Sequence, residues 1–133
     1  LEDVFVKMNK SISSRRLSPE VMKSITRALE IIYDEISFPL SVNDVASRVN
    51  MSRSYFSSCF KEVTGCSFNQ YIRSKRMQRA KEYLEQTDFS ITQIADKCGY
   101  EDEKYFSKVF KEEMGMLPTK YRKEKKEQIE III

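Results

Sequence analysis

An all-α fold is what this sequence predicts, and three observations predict it. Only three glycines and three prolines interrupt 133 residues, too few for a turn-dense β architecture. Apolar residues recur at helical spacing segment after segment. One phrase is also written twice: YFSSCFKEVTG, Tyr55 to Gly65, returns as YFSKVFKEEMG, Tyr105 to Gly115. A match of this kind in a short chain marks a duplicated supersecondary unit, and two copies are too few for a solenoid.

In chain order, residues 1–17 read as loosely ordered. Ser18-Pro19-Glu20 starts a helix, with proline at the first helical position. Ile25, Ala28, Leu29, Ile32 and Ile36 give it an apolar stripe. This extra N-terminal helix either packs on the first repeated unit or leads in from a domain further upstream. Ser41 then caps a helix carrying Val42, Val45, Ala46 and Val49, with Asp44 completing a relaxed capping box. Asn50-Met51-Ser52 breaks it, asparagine tolerating a left-handed helix end. From the Ser52 cap a second helix buries Tyr55, Phe56, Cys59 and Phe60 and stops at Gly65.

Asn69 to Gln86 reads as one long helix with Tyr71, Ile72, Met77, Ala80, Tyr83 and Leu84 on its apolar stripe. Without internal proline or glycine it serves as a rigid strut. The second copy repeats the first: Ser90 caps Ile91, Ile94, Ala95 and Cys98, and Gly99-Tyr100-Glu101-Asp102 forms the break. A helix burying Tyr105, Phe106, Val109 and Phe110 then ends at Gly115. Short helix, tight turn and short helix is the helix-turn-helix pattern, and the small Ala46 and Ala95 suit a steep helix crossing. The predicted architecture is two helix-turn-helix subdomains joined by a long linker helix, plus an extra N-terminal helix. The segments are 1–37 (lead-in and helix), 38–70 (first subdomain), 71–87 (linker), 88–126 (second subdomain) and 127–133, a tail expected to fray.

Composition narrows the function classes. No apolar run approaches the roughly 20 residues that span a bilayer, so no membrane contact is expected. LEDVFVK has no signal-peptide core, and the missing initiator Met reads as a piece of a longer chain. There is no histidine, no glycine-rich phosphate loop and no paired-acid constellation, so neither an enzyme nor a cofactor or metal site is expected. Cys59, Cys66 and Cys98 lack metal-ligand spacing. Cys59 and Cys98 stand where the other copy has Val109 and Val49, which makes them small buried hydrophobes. Reduced thiols fit a cytoplasmic protein.

The net charge is only +3, but it is unevenly spread. Arg73, Lys75, Arg76, Arg79 and Lys81 follow the first phrase with no acid among them. Lys120, Arg122, Lys123, Lys125 and Lys126 follow the second, against Glu124 alone. A basic run after each copy is how a protein meets a phosphate backbone.

The run ITQIADKCGYEDEKYFSKVFKEEMGMLPTKYR, Ile91 to Arg122, closely resembles the second half of the AraC/XylS-type DNA-binding domain. The hallmark spacing is IA…GY…YF…FK…G…P…YR. RMQRAKEYL resembles the family's linker helix and VASRVNMSRSYFSSCFKEVTG its first helix-turn-helix, so the likeness covers roughly residues 38 to 124. It is closest to output domains of two-component response regulators or of sugar-responsive activators. The resemblance implies a bacterial, cytoplasmic transcription regulator whose two recognition helices enter successive major-groove segments of double-stranded DNA. RNA polymerase and an upstream regulatory domain of the same protein are its implied partners.

Helical geometry leaves Arg53, Ser54, Ser57, Ser58 and Lys61 outside on the first recognition helix. The family's base-reading positions fall on Ser54, Ser57 and Ser58, with Arg53 as a long donor to guanine or phosphate. On the second, the matched positions are Glu103, Lys104, Ser107 and Lys108. Lys108 suits guanine and Glu103 suits cytosine N4. The acidic run Glu101-Asp102-Glu103 would repel phosphate, unless members such as Asp102 cap the helix. Phosphate contacts are expected from Asn43, Lys61, Arg73, Arg76, Thr92, Lys111, Lys120 and Arg122, with Arg76 alternatively pairing inside the fold. The competing class is a helical protein-interaction module without DNA binding, which predicts exposed aromatics where the repeat spacing predicts buried ones.

Overall fold

The computed structural model describes residues 17–132, and the expectation for residues 1–16 lies outside it. Among the described residues there are seven helices and no strand. They are α1 (Pro19–Glu35), α2 (Val42–Arg48), α3 (Arg53–Thr64), α4 (Phe68–Gln86), α5 (Ile91–Lys97), α6 (Glu103–Met114) and α7 (Pro118–Ile132). The chain divides between Arg73 and Ser74 into two compact units.

In the first unit, Ser18 accepts the Val21 N–H at 3.2 Å and Pro19 occupies the first turn, which starts α1 where the sequence places it. Its stripe of Met22, Ile25, Ala28, Ile31 and Ile32 is buried in one core with Val45, Ala46, Phe56, Cys59, Phe60 and Val63. The helix thus packs on the first repeated unit. Arg48 of α2 reaches the end of α1 with a bidentate ion pair, Nη1 and Nη2 donating to Glu35 at 2.8 and 2.5 Å. Those hydrogen bonds hold the Glu35 carboxyl below its usual pKa.

The second unit repeats the plan with its own core of Met77, Ala80, Leu84, Ile94, Ala95, Cys98, Phe106, Val109, Phe110 and Tyr121. Ser90 and Gln93 form a complete capping box, with bonds of 2.9 and 3.1 Å. At Ser41 only half of one forms. The Ser41 hydroxyl accepts the Asp44 N–H at 3.1 Å, but the Asp44 carboxylate turns to Arg48 at 3.5 Å, a stronger partner than the backbone N–H it was expected to accept.

Both helix-turn-helix breaks close identically. Met51 N–H donates to Ala46 O, and Tyr100 N–H to Ala95 O, each at 2.9 Å. Asn50 N–H donates to Ser47 O at 3.0 Å and Gly99 N–H to Asp96 O at 3.1 Å. This paired closure needs a left-handed residue, supplied by Asn50 (φ 59°) and Gly99 (φ 86°).

The structure corrects two expectations. Tyr55 and Tyr105 are not buried but 52% and 54% exposed. Each lies about 100° around its helix from the phenylalanine beside it, so the Phe56–Phe60 and Phe106–Phe110 faces turn inward and the tyrosine is left on the flank. The C-terminal segment is not frayed either: α7 runs to Ile132. Pro118 fits its first turn, and the Lys/Glu-rich sequence that follows has high helix propensity. Ile129 and Ile131 are carried on it exposed.

Two outcomes are expected. Gly115 ends α6 at φ +81°, and an added Cβ there would meet nothing within 4 Å. Gly115→Ala therefore costs backbone strain alone, about 1–2 kcal/mol by denaturant unfolding. Burial pushes the Cys98 thiol up to about 12 from 9.0. The folded state binds that proton more tightly, so the associated stability is whole below pH ~9 and lost as pH rises toward ~12. Cys98→Val, matching Val49, should flatten that part of the alkaline unfolding profile. Tyr121, also raised to about 12, contributes in the same direction, as do Cys59, Tyr55 and Tyr71, which are raised too.

Candidate nucleic-acid interface

Each recognition helix is held from behind. Phe56 and Phe60 are 0% exposed, and Phe60 meets Tyr71 edge-on at 5.3 Å. Phe110 meets Tyr121 the same way at 5.6 Å. With that face pinned, α3 turns Arg53, Ser54, Ser58 and Lys61 to solvent and leaves Ser57 half-buried. On α6 Glu103, Lys104, Lys108 and Lys111 are exposed and Ser107 is half-buried. Ser52 accepts the Tyr55 N–H at 3.2 Å and Asp102 the Lys104 N–H at 2.9 Å, so Asp102 caps α6.

Two candidates in the second unit engage each other: the Thr92 hydroxyl donates to Glu103 Oε2 at 2.6 Å. This bond ties α5 to α6 and turns one acid of the cluster toward the protein. Asn43 is exposed beside the α2 start. Arg73 is half-buried. The Arg76 guanidinium lies over the Tyr100 ring at 5.5 Å.

Lys120 is exposed on the first turn of α7. Arg122, also expected at a phosphate, is engaged within the fold. Its Nε donates to Leu84 O and its Nη2 to Thr87 O, each at 3.2 Å, so it clamps the C-terminal carbonyls of α4. Those carbonyls are unsatisfied within their own helix, and a rigid guanidinium fork reaches two of them at once. An open hollow between the α5 start and α7 is bordered by Ser90, Ile91, Thr119, Arg122, Lys123 and Lys126, with Glu127 and Glu130 at its edge. Sequence reading missed Thr119, Lys123 and Lys126 as neighbours of the α5 start. The second basic run contained two of them, but only the fold brings them there.

A helix-turn-helix domain family model matches residues 45–124. The Msm operon regulatory protein of Streptococcus mutans is 38% identical over 100 residues, covering 75% of this chain and 36% of that protein. The multiple antibiotic resistance protein MarA of Escherichia coli is 32% identical over 99 residues, covering 74% of this chain and 78% of that protein. Among solved structures, the C-terminal domain of AraT, a response regulator from Geobacillus stearothermophilus, superposes with a TM-score of 0.73. It is 38% identical and the match covers 81% of this chain and 87% of that one. The chain belongs to this family, the AraC-type helix-turn-helix DNA-binding domains of transcription regulators. It spans about a third or less of the length of several curated relatives it matches.

Arg122→Ala should destabilise the fold by about 2 kcal/mol through the orphaned carbonyls. Lys120→Ala, on an exposed side chain, should leave the thermal midpoint within a degree or two. Circular dichroism melts of both variants check the distinction.

Proposed function

We propose that this chain reads double-stranded DNA with α3 and α6 in successive major-groove segments, as the output domain of a longer regulator. The observation that carries the reading is the duplication. Two identically closed turns each present a helix whose back is phenylalanine and whose front is polar and basic. One chain then does what a dimer of single helix-turn-helix proteins does, spanning about one helical turn, ~34 Å. The segments at 38–70 and 88–126 are the reading units and 71–87 links them. RNA polymerase and a regulatory domain elsewhere in the same protein are the proposed partners, and the cytoplasm the proposed location.

Arg53, Ser54, Ser57 and Ser58 read from α3, and Lys104, Ser107 and Lys108 from α6. Glu103 reads only when its bond to Thr92 opens. Phosphates are met by Lys61, Lys111 and Lys120, by Asn43 and Thr92 beside the helix starts, and by Arg73 and Arg76. Short serines make the first helix a permissive reader, whereas Lys108 is a long donor suited to guanine O6 and N7.

The interaction-module alternative draws no support from Tyr55 and Tyr105, the exposed tyrosines of the repeated phrase. Neither is joined at the surface by a phenylalanine of its own helix, since Phe56, Phe60, Phe106 and Phe110 are at 0% exposure.

The test is fluorescence anisotropy against random duplexes at two salt concentrations, with bound DNA sequenced. Two enriched motifs about one helical turn apart are expected. Lys108→Ala should cost about 1–3 kcal/mol at one base position and relax preference there. Lys120→Ala should weaken all sequences alike and lower the salt slope by about one. Equal losses on every duplex for Lys108→Ala would remove it from the readers.

A further inference from the structure

We propose that Tyr105 is a DNA-backbone contact of the second recognition helix, its neutral phenol donating to a phosphate on the groove wall. The inference rests on the DNA-binding reading above and adds a residue that the sequence pattern assigned to the core. Tyr105 is 54% exposed, while Phe106, Val109 and Phe110 next to it are at 0–2%. Successive helical residues are ~100° apart, which puts Tyr105 on the flank, between the inward face and the outward Lys104–Lys108–Lys111 face. A helix about 10–12 Å across fills a major groove ~12 Å wide. Outward side chains then meet base edges, and flank side chains meet the phosphate walls.

The ring is braced for this. Tyr100 packs on it with centroids 5.9 Å apart, and the Arg76 guanidinium lies over Tyr100. A side chain already held loses less freedom when it binds. Among the described residues none accepts or donates a hydrogen bond at the Tyr105 hydroxyl. The surroundings also favour a neutral donor. Glu101, Asp102 and Glu103 crowd the helix start, and a hydroxyl meets phosphate there without adding charge of its own. Glu112 shares the flank but stands seven residues on, ~10 Å along a helix whose N-terminal end does the reading.

The first copy supplies an internal control. Tyr55 is 52% exposed at the matching position, but Met51 stands where the second copy has the Tyr100 that braces Tyr105. The two tyrosines are alike in exposure and unlike in bracing, so only the second is held ready for a phosphate.

Anisotropy titrations of the full chain, Y105F and Y55F, on a random duplex and on a selected one, test the proposal. Y105F is expected to bind both duplexes roughly three- to tenfold more weakly, with an unchanged salt slope and an unchanged thermal midpoint. Y55F is expected to change affinity less than about twofold. Wild-type affinity in Y105F overturns the proposal. So does a loss confined to the selected duplex, which marks a base reader, or an equal loss in Y55F, which marks a shared packing role. Failure of the wild-type chain to bind any duplex overturns the DNA-binding reading itself, a result distinct from a silent Y105F.

Discussion

Two backbone hydrogen bonds fix the angle between each pair of short helices, and the reading surface depends on that angle. The carbonyl of Ala46 accepts from Met51 and that of Ala95 from Tyr100, with Asn50 or Gly99 in the left-handed conformation between. Without the closure, the seven-residue α2 and α5 would have no fixed direction relative to α3 and α6. The alanine serves twice. Its carbonyl anchors the turn, and its methyl, 1–2% exposed, lets the second helix approach closely. A larger side chain there would push the recognition helix away from its phenylalanine-backed seat.

The phenylalanines convert that angle into an orientation. Burying one such ring contributes about 1.5–3 kcal/mol, and each recognition helix commits two. A helix anchored so heavily on one side has its opposite face determined. Serines, arginine and lysines can therefore stand exposed without contributing to stability, and their chemistry is free for the partner. Side chains that do contribute are withdrawn from that surface: Asp102 as a cap, Glu103 on Thr92, Arg122 on the end of α4.

The two units share a plan but not every device. Asn50 serves where Gly99 does, since both tolerate a left-handed backbone. Cys59 and Cys98 stand in for valines, and burial raises both thiols, keeping them protonated and inert. The polar faces differ more, short serines on α3 against lysines and an acidic start on α6. The two helices thus carry unlike chemistry on one scaffold.

Most of this was legible in the sequence because local rules decide it. Caps at Ser18, Ser41, Ser52, Ser90 and Asp102, left-handed ends at Asn50 and Gly115, and the Phe56–Phe60 and Phe106–Phe110 stripes follow from short-range chemistry. The internal duplication, and the family to which it belongs, could be read from the order of residues alone. Tertiary structure decided what the pattern leaves ambiguous. A tyrosine beside a buried phenylalanine can face either way, and the inward turn of Phe56–Phe60 and Phe106–Phe110 leaves Tyr55 and Tyr105 outward. An arginine in a basic run looks like any other until the end of α4, 35 to 38 residues earlier, supplies the carbonyls that claim Arg122. Those partners are distant in sequence, so no local spacing encodes them.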